Sequence, residues 1–159
     1  MQIIKDREIV KDNWLHLDND AELTTGNITV TLARWQEQHE SLEHYSGALG
    51  LRLTGDDPLE EIVPDLANFS LIVLNFAAFT DGRCYSFARL LRDRYGFKGE
   101  IRAQGDILHD QLFYMTQCGI NSFEMADQDH LIDAMSAFGA FTESYQATVL
   151  KPEPLYRRR

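Results

Sequence analysis

Three short segments hold most of the side chains that could do chemistry, and each follows a strand-like run. In parallel α/β proteins, ligands bind beyond the carboxyl ends of strands, where loops meet helix N-termini with free N–H groups. The first segment, residues 78–86, includes Thr80, Asp81, Gly82, Arg83, Tyr85 and Ser86. Its residue types suit an anion pocket, with Arg83 gripping a carboxylate or oxyanion bidentately. The same types also make a turn, a helix cap and a local ion pair, because Asp-Gly is a turn signal and Thr or Asp caps helices. The second segment, Gln104-Gly105-Asp106, offers a carboxylate for polar recognition or proton transfer, with His109 and Asp110 one helical turn further on. Asp106 reads equally well as the N-cap of a helix over 107–118. The third segment runs from Glu124 to Asp127. Arg89 and Arg92 fall on the polar face of the helix that begins near Arg83, where they meet solvent or a partner.

Other chemistries lack their signatures. His16, His39, His44, His109 and His130 have no close two-ligand spacing, so no metal is expected. There is no GxGxxG, no GxxxxGK[ST] and no GxSxG, which removes support for a dinucleotide, a nucleoside triphosphate or a hydrolase elbow. Cys84 and Cys118 form neither a CxxC pair nor a cluster site, and both fall on helix stripes or ends that favour burial. No cofactor is expected. Fifteen Lys+Arg against 25 Asp+Glu give a net charge of −10, a field that repels nucleic acid and anionic lipid. No apolar run reaches the ~20 residues of a membrane helix, and the start lacks a leader's basic and apolar regions, so a cytoplasmic protein is expected.

The elements that must position these loops follow from periodicity. Residues 3–10 suit a small N-terminal hairpin, although the turn lacks the favoured Asn-Gly or Asp-Gly. Ile28 to Leu32 is rich in β-branched residues, and Leu32, Trp35, His39 and Leu42 then recur at helical spacing. Asp56-Asp57-Pro58 supplies an N-cap and an N1 proline for a short helix that begins near Leu59. Residues 71–76 are an apolar run without alternation, as in a central strand covered on both faces. Cys84, Phe87, Ala88, Leu91 and Tyr95 form a helical stripe that Gly96 closes. Strands over 99–103 and 121–125 and helices over 108–118 and 129–138 complete about five βα repeats. A 159-residue chain with 44% hydrophobic residues makes one domain, residues 1–150, ahead of an extended basic tail, 151–159. The expected fold is an open doubly wound α/β sandwich with a mainly parallel sheet, and the alternative is a truncated half-barrel, since a full eight-fold barrel needs ~250 residues.

The run from Phe79-Thr80-Asp81-Gly82-Arg83 through Arg92, then Gly105-Asp106-Ile107-Leu108, Asp110-Gln111-Leu112-Phe113 and Cys118-Gly119-Ile120, resembles a bacterial family of uncharacterised proteins associated with sulfite reduction. The likeness extends over most of the chain. It implies a role in sulfur assimilation, with a sulfite reductase subunit or another sulfur-assimilation enzyme as partner. Relatives generally carry Gly where Cys84 stands and often Pro-Lys where Ala77-Ala78 stand. The resemblance supports two readings: an accessory protein that docks on the sulfite-reducing enzyme without a redox cofactor of its own, with Arg89 and Arg92 facing the partner, or a small enzyme that binds an anionic substrate at the strand ends.

Overall fold

A computed structural model gives the fold over residues 1–78 and 80–139. Phe79, the end of the expected domain and the expected basic tail at 151–159 lie outside the described residues. The chain opens with a hairpin, β1 (Gln2–Lys5) and β2 (Glu8–Lys11). Its two turn residues, Asp6 and Arg7, take φ of 51° and 67°, the double positive φ that a tight two-residue turn demands. The usual Asn-Gly is therefore not required, at a local conformational cost.

Six parallel strands follow in strict sequence: β3 (Trp14–His16), β4 (Asn27–Thr31), β5 (Leu49–Thr54), β6 (Leu71–Phe76), β7 (Glu100–Gly105) and β8 (Ser122–Glu124). The sheet order is β2-β1-β8-β7-β6-β5-β4-β3, with β1 antiparallel to β8 and every pair from β3 to β8 parallel. This corrects the doubly wound expectation and its five strands. A doubly wound sheet reverses strand order at a switch point, whereas here each crossover leads to the next neighbour. Right-handed crossovers repeated in one direction place the helices on one face, and the sheet curls into a half-barrel. β3 escapes a sequence reading because three residues between polar segments carry too little periodicity.

The convex face is the apolar core. Ile28, Val30, Leu51, Leu53, Ile72, Leu74, Ile101 and Phe123 project toward the helices, with Ile4 of β1 in the same cluster. Against them pack α1 (Leu32–Glu37), α2 (His39–Glu43), α3 (Leu59–Ile62), α4 (Arg83–Arg89), α5 (Leu112–Gln117) and α6 (Leu131–Gly139). Thr31 ends β4 and starts α1, its hydroxyl accepting from the Arg34 backbone N–H at 3.2 Å. Helix α4 continues as a π-helical stretch over Leu90–Arg94, and Gly96 follows at φ 65°, the left-handed residue expected after a helix. Two expected caps differ. Pro58 itself occupies the cap of α3, and the 107–118 helix begins at a 3-10 turn over His109–Gln111 whose cap is Leu108 rather than Asp106. Among the described residues no helix is long and apolar enough to cross a membrane.

Candidate functional site in the concave face

Side chains alternate across a strand, so each apolar residue on the convex face leaves its neighbour on the concave one. Strand register places His16, Thr29 and Gly50 on one row, Arg52, Val73 and Arg102 on the next, and Thr54, Asn75, Gln104 and Glu124 nearest the carboxyl ends. The interior of the half-barrel is therefore polar and charged. Its curl brings the first and last parallel strands together: His16 Nε2 of β3 lies 2.8 Å from Glu124 Oε2 of β8, and His16 Nδ1 lies 2.7 Å from Thr29 Oγ1.

Arg102 stands at the centre with no solvent exposure. It donates to both carboxylate oxygens of Asp12 at 3.1 Å, to Glu100 Oε1 at 3.0 and 3.2 Å, and to Glu124 Oε2 at 3.5 Å. Lys5 approaches the other oxygen of Glu100 at 3.2 Å. An arginine with no exposure is tolerable only when its donors are matched by this many acceptors, because an unpaired buried charge is strongly destabilising. Burial would raise the Glu124 carboxyl, but the hydrogen bond and charge of His16, the charge of Arg102 and the Gln104 amide outweigh it and hold it below the ordinary value. Glu100 is likewise pushed up by burial and brought lower by the nearby Arg102 and Lys5. Asp12, His16 and Glu124 offer three ligand atoms within 4.8 Å of one another, a set a metal could use. Arg102 already sits against two of the three as their cation, so a metal would have to displace it.

Two cavities flank this network. At the amino ends of the strands, about 480 Å³ is bounded by Lys5, Asp12, Trp14, Glu100 and Arg102, whose charges are already matched to one another. At the carboxyl ends, about 490 Å³ is bounded by Arg52, Thr54, Asp57, Asn75, Gln104 and Gly105. Here Arg52 has one hydrogen bond among the described residues, Nη2 to the Leu17 carbonyl, and its Nε is buried without a partner. Burial lowers the Arg52 pKa, and Asp18 and Glu124 raise it again in part. Gln104 forms the floor through Nε2, which donates to Glu124 Oε1 at 3.1 Å. Gly105 takes φ 101°, and a Cβ there would lie 2.4 Å from the Phe76 carbonyl oxygen, so only glycine lets the chain turn into this rim.

The residues singled out in the sequence separate into three groups. Gln104 and Gly105 reach the carboxyl-end cavity. Asp106 and Asp110, with Gly105 again, border a shallower cleft of about 420 Å³ beside Asp127. Thr80, Asp81, Gly82, Arg83, Tyr85 and Ser86 lie apart from both. Arg83 donates to Asp81 from Nε at 3.0 Å and from Nη2 at 2.8 Å, and from Nη1 to Asp56. These bonds hold the Asp81 carboxyl down at about 2, so the bidentate partner of this guanidinium is a carboxylate of the loop that precedes it. Tyr85 stacks edge-on against Phe76, with ring centroids 5.2 Å apart, and lies the same distance from Tyr114.

Arg92 does not face solvent as the helical pattern suggests. Its guanidinium donates to the carbonyls of Phe97, Gly99 and Gly119 at 2.7–3.0 Å and fastens the end of the helical segment to the strand starts. Arg89 is half-buried beside Cys118 and Tyr114. Burial drives the Cys84 thiol up to about 12 and raises Cys118 as well, which leaves both thiols protonated at neutral pH. Sequence reasoning missed Asp12, His16, Arg52, Arg102 and the inward role of Glu124. The available signal was a set of charged residues at alternate positions of otherwise apolar strands: Arg52 in Leu51-Arg52-Leu53, and Arg102 in Ile101-Arg102-Ala103.

No curated protein and no solved structure matches the chain. A family model described as bacterial protein of unknown function (DUF934) matches residues 50–156, a span that contains Arg52, Asn75, Arg102, Gln104 and Glu124 but not Asp12 or His16. With the match extending from β5 past the last described helix, the chain belongs to this bacterial family.

Proposed function

We propose that this domain binds a small oxyanion in the carboxyl-end cavity, with Arg52 as its cationic anchor. The observation that carries the reading is a guanidinium at the cavity wall with its Nε buried and unpartnered, beside amide and hydroxyl groups on three neighbouring strand ends. Buried donors without partners are costly and rare in folded proteins, and a bound anion would use the donors Arg52 leaves free. Position supports the same reading, since parallel sheets collect ligands at their carboxyl ends. The ligand's biological setting comes from the sequence resemblance, which implies sulfite reduction. Sulfite is a compact oxyanion that such a cavity accommodates, and the domain would hold it as a small enzyme or as a carrier for a sulfite-reducing partner.

The test is calorimetric titration of sulfite and of inorganic phosphate into the wild type and Arg52→Met. Saturable binding that Arg52→Met abolishes supports the reading; heats indistinguishable from dilution, or binding unchanged in the variant, would sink it. Growth of a deletion strain on sulfate, sulfite or sulfide tests the setting separately, with rescue by sulfide alone as the expected result.

Docking on a sulfite-reducing enzyme is a second reading, favoured by one surface. Tyr114 is an exposed aromatic residue at 53%, and Arg89 lies next to it. Loss of co-purification with sulfite reductase in Arg89→Ala and Tyr114→Ala, with anion binding retained, is the outcome that supports it. Arg92→Ala does not serve this test, because its carbonyl bonds make the variant a folding probe.

A further inference from the structure

The carboxyl-end cavity presents acceptors as well as a cation. Glu124 is tied to His16 at 2.8 Å and to Arg102 at 3.5 Å, contacts that suit an ionised carboxylate, which can only accept. The Gln104 amide that meets it at 3.1 Å must therefore turn its nitrogen toward Glu124. Its carbonyl oxygen is left as the other end of the amide and accepts from no described residue. Asp57 adds a second acceptor at the same wall. Its Oδ2 takes the Thr54 backbone N–H at 2.7 Å and the Thr54 hydroxyl at 3.3 Å, which leaves Oδ1. A fully deprotonated oxyanion bound to Arg52 would set its lone pairs against these two oxygens.

Resting on the oxyanion reading above, we propose that the cavity selects an oxyanion that keeps an O–H, the proton being donated to Gln104 Oε1 or Asp57 Oδ1 while Arg52 takes the charge. A site that pairs a ligand hydroxyl discriminates against an analogue without one, because its acceptors are then set against the analogue's lone pairs. Hydrogen phosphate and hydrogen sulfite satisfy the rule. Sulfate, of nearly the same size, does not.

The experiment compares sulfate with inorganic phosphate, titrated into the intact chain at a pH where phosphate is the dianion. Both probes then carry the same charge and differ by one O–H. Phosphate should bind at least about tenfold more tightly, the discrimination of roughly one hydrogen bond. Asp57→Asn, which keeps an oxygen for Thr54 and turns the free acceptor into a donor, should raise sulfate affinity and narrow the ratio. Gln104→Met should narrow it by weakening phosphate. If sulfate binds as tightly as phosphate and Arg52→Met still abolishes both, the selectivity is overturned while the oxyanion site stands. Should neither anion bind in an Arg52-dependent way, the site itself is lost and the selectivity with it.

Discussion

Two arginines, Arg83 and Arg52, show how differently the same side chain can be used at neighbouring strand ends. Arg83 opens α4 directly after a loop dense with polar residues, is half-exposed, and has its fork closed by Asp81 and Asp56. Arg52 lies in an apolar strand, is half-buried, and among the described residues has one hydrogen bond, with Nε unmatched. Conspicuous composition marks the arginine that is already satisfied, and the less conspicuous position holds the one with unused donors. The physical reason is local. A loop is free to bring its own carboxylates to a guanidinium, whereas a strand fixes where each side chain points and leaves it dependent on what the sheet's curvature delivers.

The contrast can be broken from the interior outward. Arg102→Met should have the largest effect, since it strands Asp12, Glu100 and Glu124 together without their shared cation. A loss of about 3–5 kcal/mol is expected, read as a lower urea midpoint, because removing one partner of a buried ion cluster leaves uncompensated charge. A midpoint within error of the wild type would mean that the cluster is not buried as described.

Glu124→Gln should act less strongly and with a pH signature. The Glu124 carboxyl is held below its ordinary value of 4.5, so its contribution to stability is present above that value and lost as pH falls through the folded pKa. Wild-type stability should therefore drop steeply below about pH 4.5, and the variant's acid limb should be shallower, although Glu100 contributes in the same direction. Parallel acid limbs would contradict the assignment. Arg83→Ala should have the smallest effect: an exposed ion pair holds little stability, and both the melting midpoint and anion affinity should stay at the wild-type values.

The legible part of this molecule is the part with strong periodicity. The central strand over 71–76, the α1 stripe of Leu32 and Trp35 and the glycine after the π-helical stretch are all evident from residue types. The half-barrel is evident only as one of two options, because strand order depends on crossovers that periodicity does not encode. Of the candidate site, Gln104 and Gly105 are legible from their place after a strand. Arg52 and Arg102 each break an apolar run, and that break is the visible sign of a polar concave face. His16 and Asp12 are not legible, since their partners are 108 and 90 residues away in sequence.

The central claim is that an anion seats in the concave face at Arg52 and not in the loop at Arg83. The most direct measurement is a map of amide and side-chain N–H chemical shifts during titration with inorganic phosphate. The account predicts saturable shifts at Arg52 Nε, the Gln104 side-chain amide and the Asn75 and Gly105 backbone, with Gly82 to Ser86 unmoved. Shifts confined to Gly82–Ser86, with Arg52 and Gln104 silent, would contradict it.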